Sequence, residues 1–64
     1  MQRIFIVAPQ REGDSRYHVC MTKSKAPFQA VYLADECIVI GSFDSLDEAK
    51  VNARIHGSRR PTVI

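Results

Sequence analysis

The chain has 64 residues, with nine Lys and Arg against seven Asp and Glu, two cysteines and no tryptophan. This length predicts a single domain over residues 1–64 with a small core, and two cysteines are too few for a disulfide-rich secreted scaffold. The net charge of +2 is lower than dedicated nucleic-acid-binding domains usually carry. The apolar run at residues 4–8 stops at Pro9, too early for a signal core or a membrane span. We therefore expect a cytoplasmic protein with reduced thiols and no membrane partner.

Four short segments are predicted as strands of one sheet: residues 3–8, 16–22, 28–33 and 37–40. The second alternates between apolar and polar side chains, as a strand with one buried face does. In the third, Phe28, Ala30 and Tyr32 would share one face. The first and fourth are apolar on both faces. Because the connections between these segments are short, they favour an antiparallel meander.

A helix start follows the fourth strand and is the clearest local signal in the chain. Ser45 and Glu48 have the spacing of a capping box, in which the serine hydroxyl accepts a hydrogen bond from the Glu48 amide. Asp47 and Glu48 fall in the first turn, where the helix dipole favours negative charge. Gly57 supplies a stop. We predict a helix over residues 46–56.

Together these segments predict an α+β fold, in which a small antiparallel sheet of three to four strands carries one C-terminal helix packed on one face. Residues 62–64 end in the apolar pair Val63 and Ile64 and can form a short final edge strand. One helix of this length covers only one face of a sheet. Strands that are apolar on both faces need cover on both sides. The second face then requires the C-terminal tail, a second copy of the chain or a partner.

The predicted helix is itself apolar on two sides. Leu46, Ala49 and Ala53 share one stripe, which is the natural docking side. Val51 and Ile55 form an i, i+4 pair on roughly the opposite side. We therefore predict that Val51 and Ile55 belong to a dimer seam or to the binding site of a protein partner.

Candidate chemistry is sparse. Four residues have side chains that bind zinc, but they lack the paired spacings of zinc sites: His18, Cys20, Cys37 and His56. The same residue types give no sign of an activated Cys–His nucleophile. The three glycines are scattered, so a phosphate-binding loop is absent from the sequence. We expect no catalytic residue, no metal site and no cofactor.

One stretch resembles known DNA-binding domains. Residues 40–49, Ile-Gly-Ser-Phe-Asp-Ser-Leu-Asp-Glu-Ala, are similar to the last strand and helix start of the plant ethylene-response-factor domains and of the arm-binding domains of phage integrases. Residues 28–31 stand where those families have an aromatic-led middle strand, so the resemblance covers residues 28–49. It implies a sheet that lies in the DNA major groove. Those families place Arg and Trp on the strands that face the groove, whereas residues 37–40 are uncharged.

These observations favour a small non-enzymatic binding module that is a homodimer and binds a protein partner, in the manner of accessory or phage and plasmid regulators. Nucleic acid is the alternative partner, because basic side chains surround an acidic middle segment, residues 35–48. The phosphate contacts would then be Arg11, Arg16, Lys23, Arg59 and Arg60. A small dimeric α+β enzyme is the third hypothesis.

Overall fold

The computed structural model describes residues 2–10 and 12–64. Its elements are the strands β1 (Arg3–Val7), β2 (Tyr17–Thr22), β3 (Ile38–Phe43) and β4 (Thr62–Val63) and the helices α1 (Phe28–Leu33) and α2 (Leu46–Ile55). The strand order is β3-β2-β1-β4. The predicted α+β class is confirmed, and so is the short final edge strand.

The sheet is mixed, so the prediction of a wholly antiparallel sheet is wrong at one edge. β2 pairs antiparallel with both β1 and β3, whereas β4 pairs parallel with β1. The reason is the connection through α2, because a helix that crosses a sheet delivers the next strand in the parallel sense. Two backbone bonds hold this C-terminal strand, from the Ile64 amide to the Ile6 carbonyl at 2.8 Å and from the Ala8 amide to the Ile64 carbonyl at 3.0 Å.

The segment predicted as the third strand is the helix α1, so that prediction is wrong. Val31 is fully buried and Phe28 and Tyr32 are partly buried, which is an i, i+3, i+4 pattern and not an alternating one. Pro27 precedes the helix with φ −55° and accepts a hydrogen bond from the Val31 amide at 3.0 Å. Asp35, at φ +56°, turns the chain out of the helix.

Arg3 fixes the segment that leads into α1. Its guanidinium donates to the backbone carbonyls of Ser24 and Ala26 and lies 4.4 Å from the centre of the Phe28 ring. The Phe28 ring stacks on Phe5 of β1 with centroids 4.7 Å apart. Arg3, at the start of β1, therefore anchors α1, the helix at the position where the sequence pattern predicts a strand.

Each face of the sheet carries its own buried cluster. Under α1 lie Phe5, Val7, Cys20 and Val31, and under α2 lie Ile6, Val19, Ala49 and Ala53. Successive β1 residues point to opposite faces, which explains why that strand is apolar on both sides. The second face is thus covered by α1 together with Ile64 of the C-terminal tail, which packs against the same cluster.

The α2 helix begins where the capping box predicts. The Ser45 side chain accepts a hydrogen bond from the Glu48 amide at 3.2 Å. The helix ends one residue before the predicted limit, and Gly57 at φ +102° follows it. In the described part of the chain, no helix has the length and apolar character needed to cross a membrane.

Candidate functional site

The outer side of α2 carries a shallow apolar groove. Val51 is 51% exposed and Ile55 is 76% exposed, on the side of the helix away from the buried Ala49 and Ala53. The groove has a volume of about 470 Å³. Its lining residues are Phe43, Asp47, Glu48, Val51, Asn52 and Ile55. The structure therefore places the two predicted surface residues together, beside the end of β3.

The Phe43 ring lies against Gly41. A Cβ atom at position 41 would lie 2.8 Å from the Phe43 ring, closer than carbon atoms approach without displacement. The ring therefore rests on the bare backbone of the glycine. Position 41 needs a glycine for this close approach, and the approach sets the wall of the groove nearest the sheet.

Beyond Phe43 the edge strand β3 carries exposed apolar side chains on both faces of the sheet, because Val39 lies opposite Cys20 on the α1 face and its neighbour Ile38 points to the α2 face. Ile38 is 70% exposed and Val39 is 53% exposed, because β3 lies at the margin of the sheet. We define the β3–α2 surface as Ile38, Val39, Phe43, Val51 and Ile55. β3 contains no charged residue and no proline, which are the usual protection of an edge strand.

Two features limit access to the backbone of β3. The pairing register with β2 passes from Gly41 to Val39, so that Ile40 forms a bulge. The Arg16 guanidinium donates to the Ser42 carbonyl at 2.9 Å, and its Nε lies 3.7 Å from the Asp44 carboxylate. The Arg16 contacts lie at Ser42 and Asp44, away from Ile38 and Val39.

A polar cluster that the sequence analysis missed lies near the start of β2, around His18. His18 Nδ1 is 2.7 Å from Ser42 Oγ, and His18 Nε2 is 3.2 Å from Asp14 Oδ2. His18 and Ser42 are cross-strand partners. The sequence indicates this contact only once the register between β2 and β3 is known. The order of serine, histidine and carboxylate is that of a catalytic triad.

The cavity beside this cluster has a volume of about 300 Å³ and is lined by Val7, Ala8, Gln10, Asp14, His18, Tyr32 and Leu33. Asp14 and His18 reach it, but Ser42 is not among its described lining residues. A hydroxyl that does not face the cavity is not placed to attack a molecule bound there. The cluster joins β2, β3 and the turn at Asp14.

The basic residues proposed for nucleic acid do not form one patch. Arg16 lies beside Asp44 at the end of β3, whereas Lys23 follows the opposite end of β2. Arg59 and Arg60 precede β4, and Arg60 lines a cleft of about 300 Å³ together with Arg3 and His56. Arg11 lies outside the described residues.

The two cysteines lie together on the α1 face. Cys20 is fully buried and Cys37 is partly buried against the same cluster. Burial raises the pKa of the Cys20 thiol to about 12, and its contact with the Cys37 thiol acts in the same direction. Within residues 2–10 and 12–64, no group of three or more His, Cys, Asp and Glu side chains is placed to hold a metal ion.

Comparison with known proteins adds no assignment, since no protein-family model, no curated protein and no solved structure matches the chain. The resemblance of residues 28–49 to the two DNA-binding families stays a prediction from sequence. Residues 28–31, the proposed counterpart of their middle strand, lie in α1. Function is therefore argued from the surfaces described above.

Proposed function

We propose that this chain is a small non-enzymatic binding module that forms a homodimer and acts by binding a protein partner, with the β3–α2 surface as its contact region. One observation carries the proposal. Four of the five side chains of this surface are between 51% and 76% exposed, although both faces of the sheet already have a helix over them. Val51 and Ile55 lie on the outer side of α2, and Ile38 and Val39 lie on the edge strand β3, where neither helix covers them.

The energetic argument rests on the size of these side chains. Complete burial of a Val or Ile side chain stabilises a complex by roughly 1.5–3 kcal/mol, and half-exposed side chains contribute part of that amount. Several such side chains around a groove supply the apolar centre that protein interfaces use. An uncharged edge strand next to the groove adds backbone groups that a second chain can pair with.

Charge also favours a second copy as one occupant. The first turn of α2 carries Asp47 and Glu48, and its last turn carries Arg54. Two α2 helices related by a two-fold axis that passes through the groove perpendicular to the helix axis run antiparallel, so that the acidic end of one lies beside the basic end of the other. The helix is therefore electrostatically complementary to itself in that arrangement. A cytoplasmic location, with both thiols reduced at rest, belongs to the same proposal.

The test is the double substitution Val51→Lys with Ile55→Glu. Both side chains are exposed, so the fold should persist, which circular dichroism reports. Association measured by sedimentation equilibrium, and capture of the protein partner by the tagged chain after nuclease treatment, should both be lost. The matched control is Leu33→Lys, which changes a 73% exposed residue on α1. A folded double variant that associates and captures like the control would refute the proposal.

Nucleic-acid binding is the second candidate, favoured by the position of three basic residues. Lys23, Arg59 and Arg60 lie towards the same end of the sheet, since β4 begins opposite Phe5 and β2 ends opposite Arg3. Because helices cover both faces, a duplex would meet this end and not an open sheet. Fluorescence anisotropy with a random duplex tests it. Affinity should fall with salt at a log–log slope near −0.9 for each neutralised phosphate, and Arg59→Ala with Arg60→Ala should reduce that slope.

A further inference from the structure

Cys20 and Cys37 form a thiol pair that neither the fold nor the proposed function uses. Both are free, and both pack into the buried cluster under α1. Cys37 packs against the cluster that contains Cys20, and the Cys37 thiol disfavours ionisation of the Cys20 thiol. The two residues differ in access, because Cys20 is 0% exposed whereas Cys37, which precedes β3, is partly exposed.

The strand register explains this contact. Cys20 in β2 is opposite Val39 in β3. Cys37 precedes Val39 by two residues, so its side chain lies on the same face as a diagonal neighbour of Cys20. Diagonal neighbours are somewhat farther apart than the usual distance between disulfide-bonded residues. Cys37 lies outside the ladder of β3, which begins at Ile38, and formation of the bond requires this residue to move towards Cys20.

We propose that Cys20 and Cys37 are a reversible dithiol–disulfide site, oxidised by small-molecule disulfides of the glutathione type. Cys37 is the attacking residue and Cys20 is the resolving residue. The oxidant reaches the partly exposed residue but not the buried one, and the buried residue lies in the cluster against which its partner packs. Residues on both sides of α1 become covalently joined when the bond forms.

The reaction balances in two exchange steps. The Cys37 thiolate attacks one sulfur of oxidised glutathione, forms a mixed disulfide and releases one glutathione thiolate. Cys20 then attacks the Cys37 sulfur, and its proton passes to the departing glutathione sulfur, so that the second glutathione is released as the thiol. Two protein thiols are oxidised and one glutathione disulfide is reduced to two thiols. Excess reduced glutathione reverses both steps.

The bond closes the loop over residues 20–37, which contains α1. Such a loop restricts the unfolded chain, so the oxidised protein should be the more stable form. For a domain of this size we expect a melting temperature higher by roughly 10 °C than that of the reduced protein. The site thus couples the stability of the α1 face to the thiol redox state of the surroundings.

The experiment equilibrates the protein with mixtures of reduced and oxidised glutathione at pH 8, traps free thiols by acid quenching and alkylation, and measures the intact mass. The expected product is a monomer that has lost two hydrogens. In Cys20→Ser the reaction should stop at the glutathione adduct of Cys37. In Cys37→Ser the folded protein should react at least tenfold more slowly, because its remaining thiol is buried.

An unfolded reference keeps the inference falsifiable. The same titration in urea removes the contact, and the disulfide should then require at least tenfold more oxidised glutathione relative to the square of reduced glutathione. An equal requirement in the folded and unfolded chains would overturn the proposal. A stable glutathione adduct on the unsubstituted protein, or a disulfide between two chains as the main product, would overturn it as well.

Discussion

At the scale of single residues, the burial of Cys20 changes how tightly its thiol holds a proton. Its thiol is fully buried in the α1-face cluster, and this burial raises its pKa from 9.0 to about 12. The charged thiolate is disfavoured there because it loses water and gains no compensating charge. The folded chain therefore holds this proton more tightly than the unfolded chain does.

This difference predicts a loss of stability at alkaline pH. The unfolded chain releases the Cys20 proton near pH 9, whereas the folded chain retains it until about pH 12. The stabilising contribution is complete below pH 9 and declines as the pH rises towards 12, by up to about 1.4 kcal/mol for each pH unit. Urea unfolding under reducing conditions between pH 7 and pH 10.5 measures this decline.

The control for that prediction is Cys20→Ala. Tyr and Lys residues also titrate in the alkaline range, and they do so in both proteins. Subtracting the two stability curves leaves the contribution of the thiol. The difference between the proteins should be constant below pH 8 and should shrink above pH 9. A constant difference across the whole range would show that the buried thiol does not hold its proton more tightly.

At the scale of elements, sequence predicted those features that depend on adjacent residues. The start of α2 depends on Ser45 and Glu48, which lie within one turn, and it was predicted at the observed residue. The exposed position of Val51 and Ile55 then follows from the helix period alone. The exposure of these two residues could therefore be predicted without knowledge of the tertiary structure.

Residues 28–33 show why the rest was not predictable. Phe28 and Tyr32 are four apart, so they share a face both in a strand and in a helix. Val31 decides between the two, because it joins their face only in the helix, and there it is fully buried.

The Cys20–Cys37 and His18–Ser42 contacts depend on the register of β2 and β3, which contains a bulge at Ile40 that the sequence does not reveal.

The helix α1 can be tested at Ala30. This residue is exposed in the middle of α1, so its side chain contributes little packing. Ala30→Gly should lower the free energy of unfolding by about 0.5–1 kcal/mol, because glycine loses more backbone freedom in a helix. Urea unfolding monitored by circular dichroism measures the effect. Lys25→Gly, at an exposed position outside the helices and strands, is the control and should change stability less.

At the scale of the whole molecule, two helices complete the cover of a small sheet and leave its β3 margin open. The clusters under α1 and α2 account for the apolar residues of β1 and β2. They do not account for Ile38 and Val39, which remain mostly exposed at the edge. A homodimer that covers this edge would gain stability from association. Its melting temperature should therefore rise with protein concentration.

The double substitution Ile38→Lys with Val39→Lys tests whether the edge takes part. Both residues are 53% or more exposed, so the charges need not be buried in the monomer. Lysine on an edge strand opposes pairing with a second chain. We expect a folded monomer of 7.2 kDa by sedimentation equilibrium, with a melting temperature independent of concentration. Leu33→Lys, at a similarly exposed position on α1, should associate as the unsubstituted protein does. If the β3 variant also still associates, the seam excludes Ile38 and Val39 and the contact lies in the α2 groove alone.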